Sequence, residues 1–335
     1  MKTVSRQLRA AGIWGTGMAV PQKVLTNADL EKMVDTSDEW VTTRTGIKER
    51  HIAADDEATS DLAAAAGRHA LEEAGIKAED LDLIIVATVT PDVSFPATAC
   101  LVQMKLGANN AATFDLSAGC SGFVYALDMA VRAIESGAYN RVLAIGADIL
   151  SRITDWTDRS TCVLFGDGAG AAVVGPVSEG RGLLGTDLGA EGGQGHLLTL
   201  PAGGSRKPAS AETIEKREHF ILMQGNEVFK FAVRIMGETA HKSLGKCDLT
   251  PEDIDVFVPH QANIRIIEAA RKRLGIPEER VFVNVESYGN TSAASIPIAL
   301  DEAYRAGKIR DDDIVALVGF GAGLTWASAI LRWGR

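Results

Sequence analysis

The sequence predicts a layered α/β protein made of two related halves, and three observations carry that expectation. Short continuous apolar runs (Leu83 to Ala87, Val142 to Ile145, Val256 to Val258 and Ile314 to Val318) have the character of strands covered on both faces. Segments of helical periodicity lie between them, and that alternation implies mainly parallel sheets sheathed by helices. The third observation is an internal repeat: Glu79-Asp80-Leu81-Asp82-Leu83-Ile84-Ile85-Val86 is echoed by Glu252-Asp253-Ile254-Asp255-Val256-Phe257-Val258-Pro259.

In chain order, Asp61 to Ala74 reads as an amphipathic helix with Ser60 as its cap and Gly75 as its stop. Behind each copy of the repeated strand a helix ends in Leu-Gly, at Leu106-Gly107 and at Leu274-Gly275. A strand then runs into Gly119-Cys120-Ser121 in the first half and into Gly289-Asn290-Thr291 in the second, with the largely apolar helix Val124 to Ile134 after the first. A Gly-x-Gly-Ala-Gly turn closes each half, at Gly166 to Gly170 and at Gly319 to Gly323. The first of these is expected to be a hairpin. A dinucleotide-binding fingerprint must open a helix, whereas Ala171 to Val174 runs straight into Gly175-Pro176. The halves are expected at 1–176 and 177–335, related by a pseudo-two-fold axis.

Composition narrows the class. The chain has 335 residues, 46% apolar and 23% charged, which excludes a disordered, coiled-coil or collagen-like protein. No apolar stretch is long enough for a membrane helix, and Met1 to Leu8 is polar and basic with no apolar segment after it, so a cytoplasmic protein is expected. Four cysteines without a CxxC pair form neither a disulfide framework nor a cysteine-rich zinc site, and no metal is expected. A net charge of -10 argues against nonspecific binding to nucleic acid or anionic membrane, while leaving room for a local basic patch.

Cys120 is the candidate nucleophile. It stands between Gly119 and Gly122 at a strand-to-helix turn, where the positive end of the helix is expected to favour thiolate. Cys100, Cys162 and Cys247 read as small hydrophobes. His260 ends the second copy of the repeated strand, at the carboxyl edge where open α/β sheets keep their sites, while the other five histidines read as structural. By the repeat, Asn290 occupies the turn that corresponds to that of Cys120. A pseudo-two-fold that joins the two turns brings Cys120 and Asn290 face to face with His260 beside them. The Gly319 to Gly323 turn can add a backbone N–H to that of Cys120 as an oxyanion hole.

At these residues the sequence resembles β-ketoacyl-acyl-carrier-protein synthase III over nearly its whole length. The resemblance is carried by Asp38-Glu39-Trp40-Val41-Thr42-Thr43-Arg44-Thr45-Gly46-Ile47, the Cys120 segment, Thr157-Asp158-Arg159, Gly225-Asn226-Glu227-Val228-Phe229-Lys230, His260-Gln261-Ala262-Asn263, Gly289-Asn290-Thr291-Ser292-Ala293-Ala294-Ser295 and Gly321-Ala322-Gly323-Leu324-Thr325-Trp326. It implies a thiolase-like fold with layers in the order α-β-α-β-α, a homodimer, and a Cys-His-Asn triad on Cys120, His260 and Asn290. In the implied reaction Cys120 takes the acyl group of a short acyl-CoA, most simply acetyl-CoA. Malonyl-acyl-carrier protein then loses CO2, with His260 and Asn290 donating to the thioester oxygen, and the carbanion attacks the acyl-Cys120 carbonyl. The backbone amides of Cys120 and Ala322 form the implied oxyanion hole, although many members of the family have Gly at the positions of Ala322 and Ala327.

By the same resemblance, Trp40 and Arg159 sandwich the adenine of CoA, Arg44 meets phosphate, and Asn226 and Asn263 bond the pantetheine arm. Lys230, Arg265, Lys272 and Arg273 are candidates for docking the acidic carrier protein, with Arg265 and Lys272 on one helical face. Phe95 is implied to cross a dimer interface and floor the partner's acyl pocket, which favours short primers. No cofactor is implied, since acyl-CoA is a substrate. Two alternatives use the same residues: a thiol acyltransferase or hydrolase, and a condensing enzyme of a secondary-metabolite pathway. A hydrolase calls for a carboxylate to orient the histidine, where this chain offers Asn290. A degradative thiolase needs a second cysteine near the carboxyl end, and none follows Cys247.

Overall fold

The computed structural model describes residues 9–335, so the polar start Met1 to Leu8 lies outside the described residues. Two sheets form the frame. The first has the spatial order Ala11–Ala19, Asp167–Pro176, Val142–Ile149, Leu83–Ala87, Ala112–Leu116; the second has Val256–Pro259, Ile314–Gly321, Thr325–Arg332, Gly182–Ala190. Leu83–Ala87 runs parallel to both neighbours, and Val256–Pro259 runs parallel to Ile314–Gly321. The remaining pairs within both sheets are antiparallel. Every residue of Leu83–Ala87, Val142–Ile149, Val256–Pro259 and Ile314–Gly321 is buried, as continuous apolar runs require.

Two helices, Gly122–Glu135 and Ser295–Arg305, fill the space between the sheets. They are apolar nearly all round: Phe123, Leu127, Val131 and Ile134 of one, and Ile296, Ala299, Leu300 and Ala303 of the other, are fully buried in a single core with residues from both sheets. Thr59–Ala74 and Thr98–Leu106 cover the outer face of the first sheet, and Gly225–Gly245 and Ile264–Leu274 cover that of the second. The order is therefore α-β-α-β-α. The helices ending at Leu106 and Leu274 both stop on a left-handed glycine, Gly107 and Gly275. No helix among the described residues is long and apolar enough to cross a membrane.

Three details differ from the sequence reading. The first long helix begins at Thr59 behind Ala58, whose N–H donates to Asp61 at 3.0 Å, while the Ser60 hydroxyl donates to Asp92 at 2.6 Å instead of capping. In the second half no strand precedes Gly289: Val281 makes one parallel bridge to Phe257, and then the Gln261 side chain takes over. Its amide donates to Phe282 O (3.2 Å) and accepts from Asn284 N (3.0 Å), occupying the bonds a neighbouring strand would use. Lastly, Gly166 to Gly170 is no turn, because Asp167 already pairs with Ile149 and the segment opens the strand Asp167–Pro176. Its glycines serve close packing, since a Cβ on Gly170 would stand 2.7 Å from Ile298 N.

Candidate active site

The two central helices start at one place, each through a single tight helical turn: Gly119–Ser121 ahead of Gly122–Glu135, and Ser292–Ala294 ahead of Ser295–Arg305. The two turns pack against each other, as the repeat predicts. Asn290 is fastened to the first half by its N–H to Leu164 O (2.8 Å) and by Gly166 N–H to its carbonyl (3.1 Å). His260 leaves its strand with its N–H on Val318 O at 2.8 Å. Cys120, His260 and Asn290 together line a cavity of about 700 Å³ whose outer wall carries Trp40, Arg44, Asn263 and Arg265.

Hydrogen bonds aim the polar groups. His260 Nδ1 meets Ser295 Oγ at 2.5 Å, and Ser295 Oγ also accepts from Gln261 N at 3.4 Å. Nδ1 is the one acceptor beside the Ser295 hydroxyl among the described residues, so the serine proton goes to Nδ1 and the ring hydrogen stays on Nε2. Nε2 is buried and has no hydrogen-bond partner among the described residues. Burial also pulls the His260 pKa down to about 3, so the ring is neutral at physiological pH. Asn290 Oδ1 accepts from Ser292 N at 2.9 Å, which commits the oxygen and leaves the Nδ2 hydrogens as donors. The site thus holds a neutral imidazole N–H and an amide N–H on the wall that carries the thiol.

The thiol itself is not the ready thiolate that its helix position suggests. Burial between the sheets pushes Cys120 up to about 12; the Asp148 carboxylate opposes ionisation further, and hydrogen bonds from Ser292 and the local backbone favour it only in part. Desolvation outweighs the helix end. Around the thiol two backbones touch without side chains between them. A Cβ on Gly321 would lie 2.3 Å from Cys120 N, and one on Gly119 would lie 2.6 Å from Ala322 N. Cys120 and Ala322 consequently present their backbones on one wall of the cavity. Thr325 locks the contact by donating to Ala118 O at 2.6 Å.

Farther out, the guanidinium groups of Arg44 and Arg159 lie 4.6 and 5.1 Å from the Trp40 ring centre. Asn263 caps the helix Ile264–Leu274, its Oδ1 accepting from Arg265 N at 2.8 Å. Asn226 is exposed, and neither it nor Arg159 is part of the cavity lining. Phe95 is 86% exposed and stands apart from the cavity of its own chain. Among the docking candidates, Arg265 reaches the outer cavity over the Phe229 ring, Lys230 pairs with Glu227 at 2.8 Å, and Arg273 approaches Glu238 at 3.7 Å. Arg265 and Lys272 share the helix face opposite the buried Ile267 and Leu274. Sequence reasoning missed Ser292, Ser295 and Asp148. A serine at each end of the run Ser292-Ala293-Ala294-Ser295 just after Asn290 was the available signal.

Two family models match the chain: "3-Oxoacyl-[acyl-carrier-protein (ACP)] synthase III" over residues 114–192, and the C-terminal model of the same name over 244–333. A β-ketoacyl-[acyl-carrier-protein] synthase III of Caldanaerobacter subterraneus is 63% identical over 326 residues, spanning 97% of this chain and 98% of its own. Among solved structures, the β-ketoacyl-[acyl carrier protein] synthase III of Thermus thermophilus is 54% identical, with a TM-score of 0.90 and coverage of 96% of this chain and 99% of its own. The priming β-ketosynthase of the R1128 polyketide pathway is similar at 38% identity, with a TM-score of 0.91 and coverage of 99% and 98%.

Proposed function

Since the chain belongs to the β-ketoacyl-[acyl-carrier-protein] synthase III family, acyltransferases that start fatty-acid synthesis from acyl-CoA and carrier-protein substrates, we propose that Cys120, His260 and Asn290 divide its reaction between them. The Cys120 sulfur attacks the thioester carbonyl of acetyl-CoA; the new C–S bond forms, the bond to the CoA sulfur breaks, and CoA leaves carrying a proton. The Cys120 and Ala322 amides hold the oxyanion of the tetrahedral intermediate. Malonyl-carrier protein then binds. His260 Nε2–H and Asn290 Nδ2–H donate to its thioester oxygen as CO2 departs; the enolate carbon attacks acyl-Cys120, the C–S bond breaks, and the Cys120 sulfur leaves as thiolate and takes a proton from solvent.

One observation carries this reading: His260, whose buried Nε2 has no hydrogen-bond partner among the described residues, lines the same cavity as Cys120 and Asn290. Decarboxylation needs donors rather than a strong base, and a ring whose pKa is about 3 is a poor base. No resident cofactor enters these steps, because acyl-CoA is consumed as substrate. The cytoplasm suits four free cysteines.

The stack of Arg44, Trp40 and Arg159 is the assigned receptor for the CoA nucleotide, with the adenine entering beside the Trp40 ring and a guanidinium on phosphate. Asn263, and Asn226 at the exposed helix start, are assigned to the pantetheine arm. Lys230, Arg265, Lys272 and Arg273 receive the carrier protein. A homodimer fits the edge strand Ala112–Leu116, whose outer side has no strand neighbour among the described residues and whose Phe114 is 41% exposed. Asp115 of that strand accepts from Thr98 and Ala99 N–H groups, which ties it to the segment following Phe95. Phe95 then floors the partner's acyl pocket.

The test is intact-mass analysis and peptide mapping after incubation with acetyl-CoA alone. An acetyl group on Cys120 is expected. Label on Cys100, Cys162 or Cys247 with none on Cys120 refutes the assignment.

A further inference from the structure

One buried cation has no part in the chemistry assigned above. Arg50 lies in the strand Glu49–Ile52, whose two-residue period turns Arg50 and Ile52 inward, and its side chain is fully buried. Its guanidinium donates through Nη1 to Leu25 O (3.1 Å) and Asn27 Oδ1 (2.9 Å), and through Nη2 to Val163 O (2.9 Å). All three acceptors belong to uncharged groups. Nε has no hydrogen-bond partner among the described residues. Burial pulls the Arg50 pKa down only to about 10, so the group stays charged at neutral pH. A buried charge held by neutral oxygens alone is costly, and a position that served packing only would carry an apolar side chain with less penalty.

What Arg50 holds is the mount of Asn290. Val163, Leu164 and Phe165 line the cavity, and the segment they begin bonds both backbone groups of Asn290: its N–H donates to Leu164 O at 2.8 Å, and Gly166 N–H donates to its carbonyl at 3.1 Å. The glycines on either side of this contact rest on the arginine stem. A Cβ on Gly166 would stand 3.1 Å from Arg50 Cβ, and one on Gly289 would stand 3.4 Å from it. On its other side the guanidinium is itself fixed. Asn27 donates through Nδ2 to Asp38 Oδ1 and to Ile47 O, each at 2.8 Å, which keeps its Oδ1 turned to Arg50. The planar fork that spans Asn27 and Val163 carries that fixed position across. We propose that Arg50 is a positioning residue for the decarboxylation step: it seats the Val163 to Gly166 segment, and through it the Asn290 amide. The nucleophile and its oxyanion wall are held by other contacts, Gly119 against Ala322, Gly321 against Cys120, and Thr325 on Ala118 O. The proposal rests on Asn290 being a donor to the malonyl thioester.

A double-mutant cycle of Arg50→Met with Asn290→Ala tests it. Methionine fills much of the stem's volume and removes every donor. Two single-turnover rates are read: acetylation of Cys120 at saturating acetyl-CoA, and CO2 release from malonyl-carrier protein by the acetylated enzyme. Arg50→Met should slow CO2 release about tenfold, as displacement of a donor by about 1 Å does, and leave acetylation within about twofold of the parent. In the Asn290→Ala background the positioned group is gone, so adding Arg50→Met should change CO2 release by less than about twofold. Arg50→Lys keeps the charge but loses the fork; it should lose about threefold, and it carries the cycle if Arg50→Met does not fold. Unchanged CO2 release in Arg50→Met, losses that multiply in the double variant, or an equal loss of acetylation overturns the proposal. Failure of both Arg50→Met and Arg50→Lys to show a cooperative thermal transition does the same, because the residue then serves the scaffold as a whole. Normal CO2 release in Asn290→Ala refutes the role of Asn290 itself, and the proposal with it.

Discussion

Gly321→Ala probes the oxyanion wall, and its size can be worked out in advance. The added Cβ would meet Cys120 N at 2.3 Å, Gly119 C at 3.0 Å and Ala118 O at 3.1 Å. All three are backbone atoms, so no side chain can swing aside. Restoring ordinary contact at about 3.5 Å means parting the two backbones by about 1 Å. Loss of one well-placed oxyanion donor costs about 3–4 kcal/mol, or about 10²–10³ in rate. Overpacking adds about 1–3 kcal/mol of destabilisation. The assay is single-turnover acetylation by acetyl-CoA, read by intact mass after quenching, with iodoacetamide alkylation of Cys120 alongside. Acetylation should fall by about two orders of magnitude while alkylation, which needs no oxyanion hole, changes far less. Ala322→Gly keeps its backbone N–H and should acetylate like the parent. Parent-rate acetylation in Gly321→Ala would falsify the wall; equal losses in both reactions would mean that the site had merely collapsed.

His260→Ala and Asn290→Ala should each accept an acetyl group yet decarboxylate malonyl-carrier protein about 10²-fold more slowly, and normal CO2 release in either removes that residue from the enolate site. With Cys120 pushed up to about 12, the thiolate fraction grows about tenfold per pH unit through the neutral range, so single-turnover acylation should climb with pH. The decarboxylation step should stay flat over the same range because His260, pulled down to about 3, remains neutral; an inflection near the ordinary imidazole value would contradict this. Arg265→Glu and Lys272→Glu should raise KM for malonyl-carrier protein in a salt-sensitive way, and a rise confined to acyl-CoA would move these charges to the other substrate. Phe95→Thr should shift kcat/KM from acetyl-CoA toward hexanoyl-CoA, whereas an unchanged chain-length profile would reduce Phe95 to an interface side chain.

How far the sequence could be read depended on whether a property is local. The apolar runs announced the central strands because burial on both faces leaves no polar positions. Gly107 and Gly275 marked helix ends because a left-handed stop is a property of one residue. The echo between Gly166–Gly170 and Gly319–Gly323 misled because glycine answers two demands, turning and close approach, that look alike in a string of letters. Gln261 could not have been foreseen as the substitute for a strand, since its bonds to Phe282 and Asn284 join segments that fold together only in the finished structure. The same applies to the thiol. The sequence shows a cysteine at a helix start, but the desolvation that decides its ionisation is imposed by both sheets at once.

The placement of the carboxylate argues for condensation over hydrolysis on grounds independent of the family. A thiol or serine hydrolase sets a carboxylate behind its histidine, so that the ring can take a proton and carry the resulting charge. In this chain the group behind His260 is a neutral serine, Ser295, which fixes the tautomer and offers no charge to stabilise an imidazolium. The buried carboxylate, Asp148, instead accepts from Ala293 N at 3.2 Å, and its charge disfavours the Cys120 thiolate. Both choices weaken base catalysis: the histidine is kept a donor, and the thiol is kept protonated. Water entering such a site would find in His260 a poor base, whereas a malonyl thioester brings its own carbanion by losing CO2 and needs only N–H donors for its oxygen, the role proposed for His260 and Asn290.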